Sequence, residues 1–309
     1  MKKLLALSLA LLLVLTLFSC KHPAPPAAEG TPLTDVYGNT ARLTRESRVV
    51  SLHASFSDCW LLAGGTLVGV TEDAVSEHGL AVGSAAIIGT AKTVDEEALL
   101  ALSPDYVLLS ADLAAHQALD ARLTSLGIAH GYFRIDTFAD YEALMSDFTA
   151  IQERPDLFAM HVTAKKARIT EILQKIPAAS DRTVLLARVY SGGIKAKRTD
   201  NPAGQILAEY HLDNIADEFP SLLEDVSLEY IVRADPDYIF ILTMGSEEAA
   251  RAYLAANLES SPAWQGLSAV KSGNCYLLPK TLFHHKPNER WDESYEYLAR
   301  IVYPEQFPS

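Results

Sequence analysis

The sequence predicts an α/β protein of two pseudo-symmetric lobes with parallel-type sheets, joined by one long α-helix. Three observations predict it: apolar runs of strand length alternating with helical patterns, an internal repeat, and one amphipathic stretch at the midpoint of the 309 residues. The runs are RVVSL at 48–52, LVGV at 67–70, YVLLS at 106–110, TVLLARV at 183–189 and YIFIL at 238–242. Continuous apolar strands separated by helices belong to parallel sheets covered on both faces.

The repeat aligns VDEEALLALSPDYVLLS from Val94 with VSLEYIVRADPDYIFIL from Val226, without a gap. Val94/Val226, Glu97/Glu229, Pro104/Pro236, Asp105/Asp237 and Tyr106/Tyr238 coincide. In each copy a short helix has Glu near its start, where the helix dipole favours an acid, and Pro-Asp stops the helix just before a strand. Each copy also has an earlier strand upstream, begun at Val49 and Val184.

Between the copies, Asp156 is placed to cap a helix whose apolar positions Leu157, Val162, Ile169, Ile172 and Leu173 fall mostly on one side, and Pro177 ends it. About 20 helical residues would span about 30 Å, a domain's diameter.

At the N-terminus, Lys2 and Lys3 precede an apolar run from Leu4 to Phe18 that ends at Ser19-Cys20. A basic start, a short apolar run and a small residue at the cut read as a secretory signal over 1–19, and the run is short for a retained membrane span. Leu17-Phe18-Ser19-Cys20 resembles the lipobox of bacterial lipoproteins, which implies acylation of Cys20 and membrane anchoring. Residues 20–31, rich in Pro, Ala and Gly, read as a flexible tether. The expected division continues with an N-terminal lobe over 32–154, a joining helix over 155–177 and a C-terminal lobe over 178–309.

Without the two signal lysines, 24 basic residues face 39 acidic ones, a balance of −15 that makes nucleic acid an unsuitable partner. Cys59 and Cys275 are far apart, with no CxxC or Cys/His cluster, and read as buried free thiols.

In this order, the segments resemble the iron-siderophore, haem and cobalamin family of ABC-transporter substrate-binding proteins from about Leu33 onward. The likeness rests on RVVSLHASFSDCWLLAGGTLVGVTED, both Glu/Pro-Asp segments, NPAGQILAEYHLDNIAD and LLPKTLFHHKPNERWDESYEYLARIVYPE. It implies a ligand cleft between the lobes, a helical backbone that limits closure, a monomer outside the cytoplasm, and delivery of a ferric chelate, haem or corrinoid to ABC permease subunits. It also implies one acidic permease-docking residue per lobe, carried here to Glu97 and Glu229; each equally suits the start of its own helix.

In open α/β sheets ligands sit outside the carboxyl ends of the strands. The loops there make His53, Ser55, Phe56, Asp112, Arg134, Arg188, Tyr190, Met244, Phe283 and His285 the candidate ligand contacts. Arg offers a planar fork to carboxylates, and aromatic rings supply flat faces. Of His284 and His285, adjacent residues of an extended segment, one enters the cleft, and His53 on the other lobe would complete a metal bridge in the alternative reading as a zinc or manganese carrier. No metal-ligand set and no cofactor is assigned. No GxSxG, HExxH or P-loop occurs, so a secreted α/β hydrolase is the weaker alternative and no catalytic residue is named. Near the C-terminus, Trp291, Tyr295 and Leu298 form a stripe that packs a last helix on a lobe, with Asn288 or Arg290 expected to order the His284-His285 loop.

Overall fold

A computed structural model describes residues 29–224 and 227–308. The signal, Cys20, most of the tether and Val226 of the second repeat lie outside the described residues.

The first lobe opens with a hairpin, β1 (Thr31–Thr34) and β2 (Thr40–Leu43), then β3 (Val49–Ser51), β4 (Leu67–Val70), β5 (Ala86–Ile87), the small hairpin β6 (Gly89–Thr90) and β7 (Thr93–Val94), β8 (Tyr106–Ser110) and β9 (Ala129–Phe133). Its sheet is parallel throughout, in the order β5-β4-β3-β8-β9. The second lobe supplies β10 (Thr183–Tyr190), β11 (Gly193–Ala196), β12 (Asp213–Asn214), β13 (Tyr238–Thr243) and β14 (Cys275–Leu277). Here the order is β11-β10-β13-β14 with β12 beside β10, and only β11 runs antiparallel. The apolar runs at 67–70 and 106–110 form strands over their full predicted length, and RVVSL contributes its middle three residues.

Alternation along these strands divides the core. In β8, Tyr106 and Leu108 face one apolar cluster, Val107 and Leu109 another; in β13, Phe240 and Leu242 separate from Ile239 and Ile241 in the same way. One cluster is common to both lobes, because the joining and terminal helices contribute Val162, Ile169, Ile172, Trp291, Tyr295 and Leu298 to it.

The repeat extends to hydrogen bonds. Arg48 N donates to Asp105 Oδ2 (2.7 Å) while Asp105 N donates to Arg48 O (2.9 Å). In the second lobe Thr183 N donates to Asp237 Oδ2 (2.8 Å) and Asp237 N to Thr183 O (3.1 Å). Each Pro-Asp thus pins the start of the neighbouring strand. Ser103 (φ 45°) and Asp235 (φ 42°), at matching places before Pro-Asp, take the left-handed conformation that ends the helices Glu96–Ala101 and Leu228–Ala234.

The lobes are joined by one helical run over 155–173, with a π-helical turn at Ala159–Thr163 between Pro155–Phe158 and Ala164–Leu173. Asp156 does not cap it. Pro155 takes the first helical position, where its missing N–H costs nothing, and Asp156 in the first turn pairs with Arg154 (2.7 Å). The terminal helix Trp291–Val302 lies along this helix, tied by Lys165–Asp292 (3.3 Å) and Arg168–Glu296 (3.0 Å). Below it, Tyr303 Oη donates to Tyr210 O (2.6 Å) and Tyr295 Oη to Glu209 (2.9 Å). Asn288 reaches the first lobe instead of ordering the His284-His285 loop: its Nδ2 donates to Ser55 O (3.0 Å) and Asp58 Oδ2 (2.7 Å), while Arg290 pairs with Glu293. Two chain segments, the joining helix and 284–290, therefore tie the lobes together. Cys59 and Cys275 are both free, but only Cys59 is buried; Cys275, at the start of the short strand β14, is partly exposed.

Candidate functional site

A cavity of about 350 Å³ opens between the lobes, at the size where small-ligand sites begin. Three regions of the chain build it. The first lobe gives Asp112, Arg134 and Asp136 from loops just past β8 and β9; the second gives Arg188 from β10 and Lys197, Asp200, Asn201 and Pro202 from the turn after β11; the C-terminal segment gives Phe283, His284 and Lys286.

Local chemistry fixes each contributor. Asn201 is buried at the N-cap of the helix Pro202–Glu209, where its Oδ1 accepts from Gly204 N (3.1 Å) and its Nδ2 donates to Arg198 O (3.0 Å). A side chain on Gly204 would collide with the Arg198 carbonyl, so the close turn requires glycine. The turn is closed by ion pairs, Lys197 with Asp200 and Arg198 with Asp217 (2.8 Å). On the facing lobe Arg134 Nε donates to Asp112 (2.6 Å), and Lys286 crosses the cleft to Asp136 (2.9 Å). The one-turn helix Lys280–Phe283 delivers the segment to that crossing.

Four cations thus meet three carboxylates, a surplus of one positive charge. Arg134 is held above its usual range by its bond to Asp112. Burial pushes the Asp200 carboxyl up, but Lys197 and the backbone N–H groups of the turn overcome this and leave it below its usual range. Arg188 differs: burial pulls its guanidinium down, Asp200 and Asp136 act only against that pull, and its buried Nε has no hydrogen-bond partner. His284, next to Arg188 and lowered to about 3 by burial, is neutral at pH 7. The cavity is built for a polar, anionic group that accepts hydrogen bonds.

Of the ten residues named from the sequence, Asp112, Arg134, Arg188 and Phe283 line this cavity. The other six lie apart from its lining. Ser55 and Phe56 are buried in the helix Ala54–Leu62, and the His53 ring packs on Phe56 (4.7 Å between centroids). The Tyr190 ring closes over Gly193 of its own hairpin, and Met244 is exposed beyond β13. His285 turns to His78 (4.0 Å between ring centroids), leaving His284 to face the cavity. Sequence reasoning singled out the 283–286 loop that supplies His284 and Lys286 but missed Asp136, Lys197, Asp200, Asn201 and Pro202; the Asn-Pro-x-Gly signature of a capped helix was the available signal for the 197–202 turn. Among the described residues no group of three or more His, Cys, Asp and Glu side chains is arranged to hold a metal ion, and no helix is long and apolar enough to cross a membrane. Glu97 and Glu229 are both exposed, in the first turns of their helices.

Residues 49–282 match the family model described as periplasmic binding protein. The Fe(3+)-citrate-binding protein YfmC of Bacillus subtilis is 24% identical over 249 residues, 78% of this chain and 76% of that protein. Staphylococcus aureus SirA, solved with staphyloferrin B, superposes with a TM-score of 0.67 at 16% identity, covering 88% of this chain and 98% of SirA. S. aureus IsdE, solved with haem, gives 0.67 at 15% identity, covering 84% and 99%. These structures share the two-lobed fold.

Proposed function

This chain belongs to the periplasmic binding protein family, and from that premise we propose that it captures a compact anionic ferric chelate of the hydroxycarboxylate class and hands it to the permease of an ABC importer. Members of the family are solute binders, not enzymes, and act outside the cytoplasm. The cavity accordingly holds cargo and needs no nucleophile.

Arg188 carries the ligand assignment. It is a largely buried cation with an orphaned Nε, in a cavity whose other three cations already have carboxylate partners. A carboxylate of the cargo supplies the missing acceptor, and Arg134, Lys197 and Lys286 stand around it. The name of the B. subtilis relative supports the same class. Phe283 and Pro202 are the apolar part of the lining, which suits a small polar chelate better than the wide apolar faces of haem or a corrinoid.

In this reading Cys20 carries the lipid anchor, the residues from Lys21 to the start of β1 are the tether, and Glu97 and Glu229 dock onto basic residues of the permease. Their matched, exposed positions on the two lobes support the docking role. The test is thermal melting of the soluble chain from Lys21 with ferric citrate, haem, cobalamin and bare zinc or manganese salts. A ligand that binds only the native state raises the melting temperature saturably. Ferric citrate is expected to give that shift; a shift from haem, corrinoid or bare metal alone, with none from ferric citrate, refutes the assignment.

A further inference from the structure

Five of the nine histidines gather in one seam beside the cavity: His53, His78 and His116 from the first lobe, His284 and His285 from the segment that returns to it. The His78 and His285 rings meet edge to face at 4.0 Å between centroids, and the His285 ring lies 5.3 Å from that of His284. His53 Nδ1 and His116 Nε2 are buried without hydrogen-bond partners. The charges around the seam are mixed. Lys286 acts on His53; Lys280 and Arg188 act on His284; His285 faces Lys280 from its own segment and Glu77 and Asp73 from the first lobe; and Asp73 faces His78 and His116. Burial holds His53 and His284 at about 3, His116 and His285 at about 4, and His78 below its ordinary value. His78, His285 and His284 meet ring to ring in that order; all five histidines are neutral at pH 7, and a proton on His285 would sit against two other rings and near Lys280.

The segment that closes the seam also forms one wall of the cavity, through Phe283, His284 and Lys286. We propose that the histidine seam is an acid-sensitive latch: protonation opens the contact between His78 and the 283–286 segment and so loosens the cavity wall and its hold on cargo. The direction follows from linkage. Closed, burial holds the His285 ring at about 4 and the His78 ring below its ordinary value; released, both return to about 6.5, so closure is fully favoured above that pH and weakens as the pH falls below it. One pH unit below 6.5, release of the His285 ring weakens closure by about tenfold, and the His78 ring adds to that in the same direction.

The test is hydrogen exchange in the ligand-free chain from Lys21, reading protection of amides 280–288 relative to unfolded-peptide rates at pH 7.5 and 5.5. Since no ligand is present, the outcome is separate from the question of whether ferric citrate is the cargo. Native protection is expected to fall about tenfold or more, and His78→Gln to show a measurably smaller fall. Unchanged native protection overturns the latch without reference to any variant. An equal fall in His78→Gln, checked with His285→Gln should the first variant not fold, places the effect elsewhere and overturns it as well.

Discussion

Arg188 is in tension with its own lobe. A guanidinium so enclosed, with one nitrogen unsatisfied, costs the ligand-free protein stability, and that cost is relieved when an anion arrives. Arg188→Gln is therefore expected to weaken ferric citrate binding tenfold or more, since a charged hydrogen bond contributes about 1.5–3 kcal/mol, while leaving the urea midpoint of the empty protein unchanged or raised. Arg188→Lys keeps the charge but loses the fork, and should recover little of the affinity in the same titration. Arg188 was legible in the sequence because it stands toward the carboxyl end of an apolar strand run, where open α/β sheets place their ligands. His284 was not: an extended segment allows either neighbouring ring to enter the cleft, and the one-turn helix Lys280–Phe283 decides which one does. That short helix lacks the length for a periodic signal.

At the scale of elements, the repeat is a structural device used twice. Asp105 and Asp237 each accept from the backbone N–H that opens the partner strand, at 2.7 and 2.8 Å. Asp105→Ala and Asp237→Ala should each cost about 0.5–1.5 kcal/mol in urea unfolding, the net contribution of a hydrogen bond whose exposed N–H water can reach. Similar losses in the two variants are expected; a loss in one alone would mean the lobes are not equivalent at this joint. The repeat was readable because Pro, Asp and Tyr keep their spacing wherever a helix must stop and a buried strand begin. The 197–202 turn was harder to read. Its lysine and aspartate reach the cavity only because β11 folds back on β10 and Gly204 lets the next helix start against the Arg198 carbonyl. Gly204→Ala is expected to lower both stability and ferric citrate affinity, measured by melting and titration, because the collision is with backbone that no side-chain rotation relieves.

At the scale of the whole molecule, the alternation of apolar strands and helices gave the two lobes, and the amphipathic stretch near Asp156 gave the link between them. What the sequence concealed is how the C-terminus closes the assembly. The terminal helix adds Trp291, Tyr295 and Leu298 to the core cluster that runs through both lobes, and Asn288 grips the first lobe from a segment expected to belong to the second. Such contacts join residues more than 200 positions apart, for example Ser55 and Asn288, and no local pattern announces them. The cavity is assembled from five such distant stretches, of which the 197–202 turn was not among the loops expected to face the ligand.

Docking belongs to this scale too. Replacing Glu97 and Glu229 together with Lys should leave ferric citrate affinity unchanged and abolish uptake in cells; normal uptake would remove both from the docking role. The central claim, that the cleft holds a compact ferric hydroxycarboxylate chelate, is tested most directly by native mass spectrometry of the protein purified with whatever it carries, alongside its absorbance spectrum. The account predicts one small iron chelate per chain and no haem or corrinoid bands; a porphyrin or corrinoid adduct would contradict it.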